Sequence, residues 1–134
     1  MITHLLDTSV YSQRLRKYPV EGVVRRWSEL GNSRLAISAF CEAELLYGLE
    51  KKDSARLWAE YEEYLKNALV MLPLERKVIE AYAKTKVTMS REGLVVDEPD
   101  LLIGATALAN NLTLATLNSR HFEKIPNLPV EDWS

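Results

Sequence analysis

The sequence is poor in the residues that cross-link small proteins or bind zinc. Its 134 residues include one cysteine, Cys41, and two histidines, His4 and His121. A single cysteine excludes an internal disulfide framework and favours a reducing compartment, and within helical sequence it is typical of a buried, inert side chain. These three residues show no zinc-binding spacing. The composition therefore argues against both a disulfide scaffold and a zinc site.

A long apolar stretch and a strong excess of one charge are also missing. No segment approaches the roughly 20 apolar residues that a membrane helix needs, and the acid at position 7 is untypical of a signal peptide. We therefore expect a cytoplasmic protein that does not enter a membrane. Because the net charge is only −2, binding to nucleic acid would require a local basic patch or a metal ion.

The sequence does contain alternating strand and helix patterns. Its length suits a single domain that spans residues 1–134. Short apolar runs predict strands in "ITHLLD", "RLAIS", "VMLPL" and "LTLAT", with a fifth candidate in "LPVED". Helical periodicity predicts helices between them, such as "AFCEAELLYGLE" and "DEPDLLIGATALANN". We therefore predict an α/β fold with a central parallel sheet of four to five short strands flanked by helices on both faces.

Four oxygen-bearing side chains follow the predicted strands. Asp7 comes directly after the first strand, and Glu44 lies in the helix after the second. Asp100 stands in the first turn of a late helix, and Asn118 comes two residues after the fourth strand. Ligands of such sheets bind outside the carboxyl ends of the strands. The four side chains could therefore converge at one end of the sheet.

Converging carboxylates repel one another and raise the pKa of at least one of them unless a cation neutralises the charge. Oxygen ligands suit Mg²⁺ or Mn²⁺, and either ion can activate water for attack on a phosphodiester. Each acid also has an ordinary explanation. Asp7 could cap a turn, Glu44 could be an exposed helix residue, and Asp100 could complement a helix dipole. The order of the acids along the chain, rather than any one of them, supports a metal site.

Four stretches carry a resemblance to a known family: "LLDTSV", "AISAFCEAELLYGLE", "VDEPDLLIGATALANNLTLATLN" and "HFEKIPNLPVEDW". In these stretches and in their spacing the chain resembles the PIN-domain family, most closely its VapC-type toxin branch. The resemblance implies an α/β/α sandwich with Mg²⁺- or Mn²⁺-dependent endoribonuclease activity. It also implies that the protein is the toxin of a toxin–antitoxin pair and forms a homodimer. A small antitoxin protein would hold it inactive by crossing the acidic groove.

The resemblance implies roles for single residues as well. Asp7, Glu44 and Asp100 match the metal-ligating acids of the family. Asn118 stands where many relatives have a fourth acid, and Thr8 matches a hydroxyl position that supports the site. Because Asn118 carries no charge, a second metal ion should bind more weakly than in relatives with a fourth acid.

Other positions remain open to two interpretations. His121 is either a substrate contact or, as we favour, a structural histidine. Arg14 leads a basic cluster after Asp7 that either contacts RNA phosphate or forms a solvated surface. Gly104 stands where the family usually has alanine. Glycine within a helix lowers stability by roughly 0.5–1 kcal/mol relative to alanine, and close packing against a neighbour is the only use we can suggest for it. An aromatic stripe in one helix favours a core or protein interface over base stacking: Trp58, Tyr61 and Tyr64.

Two other functions are alternatives to the main hypothesis. An aspartate-nucleophile phosphatase needs a second aspartate two residues after the first, and this chain has Ser9 there. A catalytically weakened, PIN-like binding module is the second rival, and Asn118 is its only sign in the sequence. The main hypothesis is therefore an endoribonuclease that hydrolyses RNA phosphodiester bonds with a metal-activated water.

Overall fold

The computed structural model describes all 134 residues, Met1–Ser134. Five short strands form one sheet in the spatial order β3-β2-β1-β4-β5, and every neighbouring pair is parallel. All five strands therefore end at the same edge of the sheet. This architecture confirms the predicted α/β sandwich, including its fifth strand. The strands are β1 (His4–Leu6), β2 (Leu35–Ser38), β3 (Val70–Leu72), β4 (Thr113–Thr116) and β5 (Val130–Asp132).

Seven α-helices connect the strands, and none of them is long and apolar enough to cross a membrane. The five long helices were predicted from their periodicity. The single-turn helices and two 3-10 turns (Ser12–Leu15 and Asn32–Arg34) were not, because three or four residues are too few to show a helical period. The helices are α1 (Thr8–Tyr11), α2 (Glu21–Leu30), α3 (Ala39–Lys52), α4 (Ala55–Tyr64), α5 (Arg76–Arg91), α6 (Glu98–Ala109) and α7 (Ser119–Phe122).

The sheet separates two hydrophobic cores. Alternate residues of a strand point to opposite faces, so Leu6 packs with the helices before β3 and Leu5 with the helices after it. The central strands are therefore buried on both faces, which explains why they appear as continuous apolar runs rather than alternating ones. Cys41 is a free thiol buried in the first core, as the sequence predicted.

Two glycines allow helices to approach other parts of the chain closely. A Cβ atom on Gly104 would lie 2.6 Å from Cδ1 of Ile125, so this glycine lets α6 pack against the segment after α7. That contact is the close packing considered for Gly104 from the sequence. A Cβ atom on Gly22 would overlap the carbonyl oxygen of Trp133, so α2 lies directly against the C-terminal backbone. No sequence pattern had indicated the second contact.

Candidate active site

Asp7 lies directly after the central strand β1, and only 3% of it is exposed. It caps α1, because its Oδ1 accepts a hydrogen bond from the backbone N–H of Val10 at 3.1 Å. The same oxygen accepts a hydrogen bond from Oγ of Ser9 at 2.6 Å, and Oδ2 accepts one from Oγ1 of Thr116 at 2.6 Å. Asp7 can therefore cap α1 and still take part in the site, because the capping hydrogen bond uses only one lone pair of Oδ1.

The two hydroxyls that contact Asp7 also hold the segment after β4. Oγ of Ser9 accepts a hydrogen bond from the N–H of Leu117 at 3.0 Å, and Oγ1 of Thr116 accepts one from the N–H of Asn118 at 2.8 Å. Ser9 and Thr116, called the hydroxyl pair below, therefore connect the first acid to the segment that carries Asn118. Neither residue was predicted from the sequence to belong to the site. A hydroxyl residue ending a buried strand was the signal that could have indicated Thr116.

The half-buried side chain of Glu44 on α3 turns toward the first acid. Its Oε1 accepts a hydrogen bond from Oγ1 of Thr8 at 2.5 Å. Glu42 instead accepts hydrogen bonds from the hydroxyls of Tyr11 at 3.4 Å and Tyr61 at 3.2 Å, so it lies among the helices. The structure therefore places Glu44, and not Glu42, next to the residue that follows Asp7.

Asp100 approaches from the first turn of α6. Its Oδ2 lies 3.5 Å from Nδ1 of His121, whose side chain is 60% exposed. Asn118 precedes α7 as its N-cap, but its side chain makes no capping hydrogen bond. Arg14 does not contact an acid: its guanidinium stacks over the ring of Tyr64 at 4.3 Å from the centroid. Of the weaker candidates, His121 therefore lies at the site, and Arg14 is engaged elsewhere.

The electrostatics of the site favour a bound cation. Burial raises the pKa of Asp7, and the negative charge of Asp100 raises it further, while hydrogen bonds from Ser9, Thr116 and Val10 oppose the shift. Burial also raises the pKa of Asp100, against the opposing contact with His121. No lysine or arginine forms an ion pair with the three predicted acids. Apart from the contact between His121 and Asp100, the negative charge of these acids is therefore left without a basic partner from the chain.

The acids do not form a ready-made ligand cage. No three His, Cys, Asp or Glu side chains are grouped closely enough to hold a metal ion as they stand. Glu44 is bonded to Thr8, and Asp100 faces His121. An ion shared by all three acids would therefore require rotation of these side chains or bridging water molecules. The donors are carboxylate oxygens, which fit Mg²⁺ or Mn²⁺ and not a soft metal.

Comparison with known proteins identifies the family. The model of the PIN domain matches residues 4–128. The chain belongs to the PIN domain family. This agrees with the geometry, in which acids from distant segments meet the carboxyl edge of a parallel sheet.

The relatives of this PIN domain are VapC proteins, which confirms the resemblance stated from the sequence. It is 29% identical to Ribonuclease VapC2 of Rickettsia felis over 130 residues, 97% of each chain. It is 28% identical to the tRNA(fMet)-specific endonuclease VapC of Salmonella typhimurium over 133 residues, 99% of each chain.

Solved structures lead to the same group. VapBC2 of Rickettsia felis, crystallised with a promoter DNA fragment, matches with a TM-score of 0.88 at 29% identity, over 99% of this chain and 100% of that one. FitAcB of Neisseria gonorrhoeae matches with a TM-score of 0.88 at 27% identity, over 98% of each chain. The fold of this PIN domain is therefore that of the VapBC2 and FitAcB structures.

Proposed function

We propose that this PIN domain is a Mg²⁺- or Mn²⁺-dependent endoribonuclease and the toxin of a type II toxin–antitoxin pair, with residues 1–134 as its single domain. Relatives that match nearly its whole length are named ribonucleases or a tRNA-specific endonuclease. The observation that carries the proposal is the approach of Asp7, Glu44 and Asp100 to one edge of the sheet, where no lysine or arginine pairs with them. A nuclease that depends on a divalent cation needs this kind of uncompensated acidic site.

In this proposal the three acids hold the ion and Asn118 completes the site as a neutral oxygen donor. A bound Mg²⁺ or Mn²⁺ would lower the pKa of a water molecule and offset the charge that develops on the RNA phosphodiester. Because Asp7 is buried and each of its oxygens is hydrogen-bonded, it would be the fixed ligand. Glu44 is half-buried and accepts one hydrogen bond, from Thr8, so it would be the adjustable ligand.

Three residues would support these ligands or contact the substrate. Thr8 orients Glu44 through their hydrogen bond. His121 faces Asp100 and is mostly exposed, so it can restrain this acid and present its ring edge to RNA. Arg14 remains a predicted phosphate contact, and it would have to leave the ring of Tyr64 to serve as one.

The partners belong to the same proposal. The structural relatives from Rickettsia felis and Salmonella typhimurium are VapBC complexes bound to DNA. We infer that this chain likewise pairs with a small antitoxin protein, and that it forms a homodimer in the cytoplasm. A catalytically weakened binding module is the alternative, and it would keep the antitoxin partner but not the cleavage of RNA.

Paired substitutions on α3 test the site. Glu44→Gln removes a proposed ligand, so the Mg²⁺-dependent cleavage rate of a labelled RNA should fall at least about a hundredfold. Glu42→Gln is the matched control two residues away and should leave the rate nearly unchanged, because Glu42 contacts two tyrosines instead. Calorimetric titration of both variants with Mn²⁺ should show weaker binding only for Glu44→Gln.

Two results would contradict the proposal. Cleavage that persists in excess chelator would exclude metal dependence, and full activity of the Glu44→Gln variant would remove this acid from the site. No measurable binding of Mg²⁺ or Mn²⁺, together with no cleavage of RNA, would favour the binding module.

A further inference from the structure

A groove opens at the candidate active site and runs along α3. It has a volume of about 210 Å³, and Thr8 and Glu44 line it together with two cationic residues, Arg16 and Lys52. Four leucines supply its apolar lining: Leu15, Leu45, Leu49 and Leu57. The groove therefore joins acidic, apolar and basic surface in one continuous depression.

The geometry of α3 sets the spacing of these charges. Glu44, Gly48 and Lys52 are four residues apart and so lie in one row on the helix. Eight residues of helix place the lysine about 12 Å from the acid. A Cβ atom on Gly48 would meet no atom within 4 Å, so the groove stays open between the two charged residues.

The two cations come from different elements and are not neutralised. Arg16 follows the 3-10 turn after α1, and Lys52 ends α3. Both are exposed, and neither forms an ion pair. Lysine at the end of a helix also complements the helix dipole, but that effect does not explain why a second cation from another element lines the same groove.

We propose that this groove binds the nucleotide next to the scissile phosphate in single-stranded RNA, with Arg16 and Lys52 as phosphate contacts. The leucines would contact the sugar and the base. The inference rests on the proposed ribonuclease function, which places a phosphate at the metal near Glu44. Unpaired RNA offers bases that are free to enter such a groove.

Charge favours RNA over an acidic peptide as the occupant. A peptide carboxylate could meet Arg16 and Lys52, but the other end of the groove is formed by Glu44, which repels it. Phosphate oxygens share Mg²⁺ with protein carboxylates. RNA would therefore be attracted to both ends of the groove when the ion is bound.

Neighbouring residues provide matched controls. Lys17 and Lys51 directly adjoin Arg16 and Lys52, are also exposed and free of ion pairs, and do not line the groove. The test measures the fluorescence anisotropy of a labelled, mixed-sequence, single-stranded RNA, with chelator present to prevent cleavage and over a range of salt concentrations. Cleavage in Mg²⁺ is then measured to separate KM from kcat.

Arg16→Ala and Lys52→Ala should each raise the Kd about fivefold at about 0.1 M salt and lower the slope of log Kd against log salt by about 0.7, the value for one phosphate contact on a single strand. KM should rise by the same factor while kcat stays unchanged. Lys17→Ala and Lys51→Ala should change neither quantity. Gly48→Leu should fill the groove and weaken binding without changing the salt slope.

Three outcomes would overturn the inference, and they are distinguishable. If RNA binds and is cleaved but Arg16→Ala and Lys52→Ala behave like the controls, the groove does not bind RNA and the nuclease proposal stands. If these variants lose the cognate antitoxin while RNA binding is unchanged, the groove binds protein. If the wild-type chain neither binds RNA in chelator nor cleaves it in Mg²⁺, the proposed function fails as well.

Discussion

The surroundings of two carboxylates at the sheet, Asp7 after β1 and Glu131 in β5, shift their pKa values in opposite directions. Glu131 in β5 accepts hydrogen bonds from Arg26 at 2.8 Å and from the indole of Trp133 at 2.9 Å, and the ring of His4 lies at 3.2 Å. Burial opposes the ionisation of Glu131, but these contacts outweigh it and lower its pKa to about 2. Asp7 has only hydroxyl and backbone donors, and burial keeps its pKa above the usual range.

This contrast distinguishes Glu131, an acid that stabilises the fold, from Asp7, an acid whose charge can bind a ligand. At neutral pH an acid with a lowered pKa stabilises the folded state, whereas an acid with a raised pKa costs stability while it is ionised. Partners from the chain neutralise Glu131, and the charge of Asp7 is left for a cation from solution. Three substitutions test this distinction.

The largest effect is expected for Asp7→Asn. The rate of Mg²⁺-dependent RNA cleavage should fall at least about a hundredfold, because a charged ligand is lost. The free energy of unfolding should stay the same or rise, because asparagine still caps α1 and the buried charge is removed. Initial cleavage rates and urea unfolding at neutral pH measure the two quantities. A clear loss of stability would instead place Asp7 among the structural acids.

A smaller effect is expected for Thr116→Val. This change removes one hydroxyl donor from Asp7 and leaves the N–H of Asn118 without its acceptor, so the cleavage rate should fall about tenfold and Mn²⁺ should bind more weakly. Thr106→Val is the control, since that buried hydroxyl bonds only to the carbonyl of Leu102 in its own helix. Equal activity of the two variants would show that the hydroxyl pair does not position Asp7.

The smallest effect is expected for Glu131→Gln, which should lower the free energy of unfolding by about 1 kcal/mol at neutral pH, since partial exposure to solvent screens the pair with Arg26. The folded-state pKa of about 2 lies below the ordinary value of 4.5. The stabilisation is therefore complete above pH 4.5 and is lost as the pH falls toward 2.

Urea unfolding of wild type and variant across this pH range measures that loss. Glu29→Gln removes the more exposed partner of Arg26 and should change stability less. A stability difference between wild type and Glu131→Gln that does not shrink in acid would contradict the assignment of Glu131 as an ionised structural group.

The local parts of the fold could be predicted from the sequence. The long helices show their period over ten or more residues, and the buried strands appear as apolar runs between turn residues. The position of Asp7 after a buried strand and that of Asp100 in the first turn of a helix also follow from local pattern. The single-turn helix α7, in contrast, has no pattern of its own, so the contact between His121 and Asp100 could not be foreseen from spacing.

The order of strands and helices could be predicted from the sequence, and the acids could be proposed from it, because both depend on periodicity and residue type within short segments. Folding alone brings Thr116 to donate to Asp7, 109 residues away, and Arg26 to neutralise Glu131, 105 residues away. Such contacts depend on strand register and helix packing. A shift of one residue in a strand turns each side chain to the opposite face, and no local pattern specifies which distant side chain will then lie opposite.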